Sequence, residues 1–131
     1  VTPVLFVGSN PSQASKDLTP FDTDTCSGKN LHKWINKASI ETAVCCNIVE
    51  KPTPNNRPLT KSEIQDNIPS LREKCSKFTK VVAVGRTASI ALNIAGIDHH
   101  QIEHPSGLNR KLNDQEYVEQ MIEDLKKYCD C

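Results

Sequence analysis

Three short segments carry residues whose types and spacing suit chemistry. Gly8-Ser9-Asn10-Pro11-Ser12 is a rigid turn, because Pro11 fixes its own φ and biases Asn10 toward extended backbone. Such a turn can hold a carboxamide in one orientation over a cleft; the alternative is an Asx-type turn in which Asn10 bonds only nearby backbone. Asn47, in Cys46-Asn47-Ile48, offers one acceptor and two donors. That set matches a pyrimidine edge with a carbonyl beside an N–H, and equally suits a turn-bonded asparagine. The most distinctive segment is His104-Pro105-Ser106-Gly107-Leu108-Asn109-Arg110. Leu108 is a poor loop residue unless it inserts somewhere, either into a base stack or into the core. Arg110 beside it suits a phosphate or an orphaned base.

A fourth turn, Gly85-Arg86-Thr87-Ala88-Ser89, presents backbone amides that attract an anion, but Gly85 is better read as permitting a tight strand-to-helix turn. No phosphate loop ending in Gly-Lys-Ser/Thr occurs. His32, His99 and His100 have no motif around them and are read as surface or strand residues without a direct role.

These turns must be held by elements that the hydrophobic pattern predicts. Pro3 to Gly8, Thr42 to Ile48, Lys80 to Gly85 and His99 to Glu103 read as strands, the second of them buried. Lys29 to Ala38 has helical spacing through Leu31, Trp34 and Ile35. Pro52 to Pro58 is a loop. Thr60-Lys61-Ser62-Glu63 has capping-box spacing, and Pro69 interrupts that helix or begins another. Arg86 to Ala95 is a helix with Gly96 as its left-handed cap. Asn113 to Glu116 opens a last helix that sets Tyr117, Val118, Met121, Ile122, Leu125 and Tyr128 on one face. Helices alternating with apolar strands predict an α/β fold, a three-layer α/β/α arrangement on a central four-stranded parallel sheet. Ligands of such sheets bind beyond the carboxyl ends of the strands, where the unusual turns fall.

Length and composition agree with one domain over residues 1–131, 37% apolar and 24% charged. Sixteen basic residues balance sixteen acidic ones, which excludes a highly basic coat but not a local basic groove. No apolar run approaches the roughly 20 residues that span a bilayer, and the apolar start reads as a first strand, not a signal peptide. The six cysteines include no Cys-x-x-Cys pair, so they are expected as free thiols, with Cys45 and Cys46 as small core residues and the Cys129-x-Cys131 tail frayed.

Together the segments resemble the uracil-DNA glycosylase superfamily. Val4 to Ser12 looks like its first motif in the Gly-x-Asn-Pro form, shared by the mismatch-specific and single-strand-selective branches. His104 to Arg110 looks like its second motif. Asn47 to Pro52, Asn56 to Pro58 and Val81 to Ala88 resemble the intervening strand ends.

The resemblance implies a monofunctional glycosylase, without metal or cofactor, that flips uracil or a related pyrimidine from DNA and hydrolyses its N-glycosidic bond. Asn10 would position the attacking water and His104 would donate to the pyrimidine O2. Phe21 would stack on the flipped base, Asn47 would read its edge, and Gly8 and Ser9 would line the pocket. Ser12 and Ser106 would touch flanking phosphates; Leu108, with Gly107, Asn109 and Arg110 around it, would fill the hole left in the stack. Two departures stand out: the mismatch branch carries Gly where Ser12 stands here and usually Asn where His104 stands. The four-cysteine set of the iron–sulfur branches, with its N-terminal pair, is missing. The expected protein is a monomer in the cytoplasm, or the nucleus of a eukaryote, without a membrane partner. Two other readings compete: a weak or inactive relative that binds DNA or a protein through the same cleft, and a nucleotide-binding domain that merely shares turns.

Overall fold

Five consecutive residues, Val4–Gly8, form β1, and every one is buried. Burial on both faces is what a central parallel strand requires. In the computed structural model, which describes residues 3–10, 21, 25–49, 59–105 and 110–130, β1 pairs in parallel with β2 (Ala43–Asn47) on one side and β3 (Lys80–Val84) on the other. The short β4 (His100–Ile102) pairs in parallel with β3, giving the order β2-β1-β3-β4. The chain moves one way from β1 to β2 and then back past β1 to β3. The point where the order reverses therefore lies between the carboxyl ends of β1 and β3.

Helices cover both faces. Val4, Phe6, Val82, Val84 and Ile102 meet Leu31, Trp34 and Ile35 of α1 (Cys26–Lys37) and Met121, Ile122 and Leu125 of α5 (Gln115–Asp130). The alternate residues Leu5, Val7, Val81 and Ala83 meet α2 (Lys61–Asp66), α3 (Ile68–Cys75) and α4 (Arg86–Ile94) through Ile64, Leu71, Ala88 and Leu92. The expected three-layer α/β/α architecture on a four-stranded parallel sheet is the one observed.

Local signals behave as their chemistry dictates. Thr60 Oγ1 accepts from the Glu63 N–H at 3.2 Å while the Glu63 carboxylate accepts from the Thr60 N–H at 2.9 Å, a complete capping box. Pro69 sits in the first turn of α3, and Gly96 follows α4 at φ 73°. Tyr128 substitutes for a missing stretch of strand: its hydroxyl donates to the Val81 carbonyl and accepts from the Val81 N–H, both at 3.1 Å. Val81 precedes the residues of β3 that β4 pairs with.

Four expectations are corrected. β2 is an edge strand, not a buried one: Ala43 and Val44 are exposed, and Cys45 and Cys46 are half-buried and outside any disulfide. Burial still pushes the Cys45 thiol up to about 11. α1 begins at Cys26 rather than Lys29, because Thr25 caps it by accepting from the Gly28 N–H at 3.0 Å. The last helix is capped by Asp114, which accepts from the Tyr117 N–H, after a short 3-10 helix over Arg110–Asn113. Cys129 is not in a frayed tail: α5 runs through it, and it packs on the α1 side of the core. The expected loop Pro52 to Pro58, like Cys131, lies outside the described residues.

Candidate active site

The carboxyl end of β1 is Gly8, in register with Asn47 at the end of β2. The pairing continues past both, with the Ile48 N–H on the Gly8 carbonyl at 2.9 Å and the Val49 N–H on the Ser9 carbonyl at 3.0 Å. Side chains alternate along a strand, so Gly8 and Asn47 share the α1 face with Phe6 and Cys45. Asn47 is only 4% exposed, a buried polar residue that needs a reason to be there.

Phe21 supplies part of that reason. A Cβ added at Gly8 would stand 2.6 Å from Phe21 Cζ and 2.7 Å from Asn47 Oδ1. The ring and the amide therefore converge on one point that only glycine leaves open. Phe21 is held at φ 51°, the left-handed region that an aromatic residue seldom enters. His32 Nε2 bonds the Phe21 carbonyl at 3.2 Å, which fixes that backbone. The Asn47 backbone is fixed too. Its carbonyl points away from β1, since the next N–H points toward it, and Lys74 Nζ donates to it at 3.2 Å.

Asn10 lies two residues beyond Gly8. Its Oδ1 accepts from the Ser9 hydroxyl at 3.0 Å.

His104 stands beyond the end of β4. The Gly85 N–H donates to the Ile102 carbonyl at 3.0 Å, carrying the ladder up to it. Gly85 has φ 94°, as expected of a tight strand-to-helix turn, and a Cβ there would lie 3.2 Å from both Cβ and Cδ2 of His104. Burial lowers the affinity of the imidazole for a proton, so the ring is neutral at pH 7. Both neighbours of His104 are pinned. Asn30 Nδ2 donates to the Pro105 carbonyl at 2.9 Å; the Glu103 N–H donates to Met121 Sδ at 3.4 Å, and Tyr117 donates to the Glu103 carboxylate at 2.9 Å.

The two groups are neighbours. Val7 pairs with Ala83, which sets Gly8 opposite Val84, with Gly85 one residue further on. Parallel strands lie about 4.8 Å apart and rise about 3.3 Å per residue, so the Gly8 and Gly85 Cα atoms are roughly 6 Å apart. Gly8, Phe21 and Asn47 are in contact, Asn10 follows directly, and His104 covers the adjacent strand end, all at the point where strand order reverses. Arg110 is exposed at the start of the 3-10 helix. Ser12, Ser106, Gly107, Leu108 and Asn109 lie outside the described residues.

Sequence reading missed Asn30, His32 and Lys74. Nothing local signals them, because their partners are main-chain carbonyls of distant segments, 75 residues away for Asn30. His99 and His100 remain apart from this group: His99 joins Ser89 to the Ile97 carbonyl, and His100 stacks on Tyr128. An open groove of about 470 Å³ between α1 and α5 is lined by Asn30, Lys33, Trp34, Leu112 and Glu119 among others; Gly8, Asn10, Phe21, Asn47 and His104 do not line it. No group of three or more metal-ligating side chains occurs among the described residues.

With this arrangement in view, the family is settled. The model of the uracil DNA glycosylase superfamily matches residues 1–126, and the chain belongs to that superfamily. Its parallel sheet with flanking helices is a DNA glycosylase fold. No curated protein matches the chain. No helix among the described residues is long and apolar enough to cross a membrane.

Proposed function

We propose that the protein is a monofunctional DNA glycosylase that extrudes uracil, or a related deaminated or modified pyrimidine, and hydrolyses its N-glycosidic bond. The observation that carries this reading is the convergence of the Phe21 ring and the Asn47 amide on Gly8, beside His104 on the next strand end. A flat apolar face meeting a buried donor–acceptor edge is what a flipped base requires.

Flipping costs a few kcal/mol, least from single strands or mismatches. Insertion of Leu108, with Gly107 and Asn109 also contacting the DNA, and phosphate contacts by Ser12, Ser106 and Arg110 offset that cost. Phe21 stacks on the base and Asn47 reads its carbonyl and N–H. As the bond to C1′ breaks, its electron pair moves onto the base, chiefly to O2. The neutral His104 N–H donates there; a preorganised donor to developing charge is worth about 3 kcal/mol. Water held by Asn10 then adds to C1′ and gives its proton to solvent. A carboxamide orients water without deprotonating it, so the enzyme is slow. This chemistry uses no metal or cofactor. No lysine stands where a Schiff base with the sugar is recognisable, so strand cleavage is not part of the reading. The protein works as a monomer, in the cytoplasm or nucleus.

One observation favours a second reading, that of a relative that binds DNA or a protein partner without turnover: Asn10 stands where other branches place an aspartate. The experiment that separates them incubates the protein with uracil-containing single- and double-stranded oligonucleotides and cleaves abasic sites with alkali. Product that disappears with His104→Ala and Asn10→Ala selects the enzyme. Salt-dependent binding without product selects the second reading.

A further inference from the structure

Helix α1 places a polar side chain on each side of its buried stripe. Leu31 is buried, and Asn30 and His32 flank it. Successive helical residues are about 100° apart, so these two side chains leave α1 in nearly opposite directions. Each ends on a main-chain carbonyl of a different loop. His32 Nε2 reaches Phe21 at 3.2 Å, on the β1–β2 side; Asn30 Nδ2 reaches Pro105 at 2.9 Å, beyond β4. A carbonyl only accepts, so His32 carries its hydrogen on Nε2. The first bond holds an aromatic residue in left-handed backbone, a conformation that persists only where its surroundings impose it. The second bond lies one residue after His104.

We infer that α1 is a gauge between the two halves of the site. His32 is a positioning residue for the stacking face of Phe21, and Asn30 is a positioning residue for the donor His104. The two bonds share one rigid helix, so they set the spacing between the base's flat face and the group that receives its charge. The inference rests on the glycosylase reading, and it assigns the two anchors different duties. His32 acts on a contact made before and during bond breaking. Asn30 acts on a contact that strengthens as the base departs.

The test uses His32→Leu, His32→Gln and Asn30→Asp in the full chain. Glutamine can still donate to the Phe21 carbonyl, whereas aspartate keeps the shape of Asn30 without its donor. Single-turnover excision is measured against protein concentration on a uracil-containing single strand. His32→Leu is expected to raise the half-saturating concentration about tenfold with a nearly unchanged limiting rate, and His32→Gln to restore it. Asn30→Asp is expected to lower the limiting rate about tenfold or more with half-saturation unchanged. Equal losses in both parameters for both variants, no loss at all, or a His32→Gln variant no better than His32→Leu would overturn the inference.

A readout without turnover separates this inference from the reading beneath it. The chain has three phenylalanines and four histidines, few enough to follow by NMR after ring labelling with carbon-13. The Phe21 signals, identified by their loss in Phe21→Leu, should move in His32→Leu and return in His32→Gln. The His104 signals should move in Asn30→Asp. If the wild type releases no uracil yet these signals respond, the glycosylase reading fails and the gauge stands. If uracil is released and they do not respond, the gauge fails alone.

Discussion

The Phe21 ring and the Asn47 amide oxygen meet over Gly8, at distances of 2.6 and 2.7 Å from where a Cβ would be. One missing methyl group thus lets an apolar plane and a polar edge share a corner. The backbone behind each neighbour is held. Asn47 is buried and its backbone is held by Lys74, and the Phe21 carbonyl is bonded to His32.

Gly8→Ala should therefore be far more harmful to excision than to folding. Overpacking a tight site costs about 1–3 kcal/mol, relieved here by displacing Phe21. A displacement near 1 Å is enough to cost about a hundredfold in rate. Thermal denaturation should show a folded protein with a modestly lowered Tm, and oligonucleotide cleavage should show a loss of at least tenfold. Full activity in Gly8→Ala would mean that the corner is not the base pocket.

Tyr128→Phe should do the reverse. The hydroxyl satisfies both the N–H and the carbonyl of Val81, a residue only 2% exposed. Removing it leaves two backbone groups of β3 without that partner while the ring can still stack on His100. Leaving a buried polar group unsatisfied costs about 1–3 kcal/mol. Urea denaturation should show a loss in that range with an unchanged m-value, and excision at 25 °C should match the wild type.

The contrast between these two positions mirrors what the sequence could tell. β1, β3, α4 and the capping box at Thr60 are written in short-range patterns: apolar runs, a glycine stop, a Thr and a Glu three residues apart. The motif turns at Asn10 and His104 are equally local, and the strand-end rule places them on one edge. Sheet position is not local. The run through Cys45 and Cys46 is apolar enough for a central strand, yet among the described residues β2 pairs only with β1, and Val44 is 41% exposed. The supports of the site are not local either. His32, read as an unremarkable surface histidine, acquires its partner only when α1 crosses the sheet beside Phe21.

Acidification should weaken the protein partly through His104. Burial holds its folded-state proton affinity below the ordinary value of 6.5, so between the two values the unfolded chain binds more protons. Stability is then fully present above about pH 6.5 and falls as pH drops toward the depressed folded value. His100 is shifted the same way, first by burial, with Asp124 opposing and His99 adding. His104→Gln should flatten part of the decline in Tm between about pH 7 and pH 5, and His104→Gln combined with His100→Gln should flatten more. The neutral ring also predicts a rate plateau above about pH 7. Uracil release that decays through that range as an imidazolium deprotonates would contradict a neutral donor.

Asn10 offers the sharpest test of mechanism. Its Oδ1 already accepts from the Ser9 hydroxyl at 3.0 Å, and a carboxylate oxygen in the same place would accept that bond equally well. Asn10→Asp therefore keeps this bond and adds two things the amide lacks: basicity toward the attacking water, and negative charge near a sugar that is cation-like as the base departs. General-base assistance contributes about 10²–10⁴-fold where it is well aligned. A gain of tenfold or more in single-turnover uracil release is expected, rising with pH as the carboxyl ionises near its ordinary value of about 3.9 and level above it. Asn10→Ala, which holds no water, should lose at least tenfold. If Asn10→Asp folds normally and releases no uracil, the water is not activated from this turn.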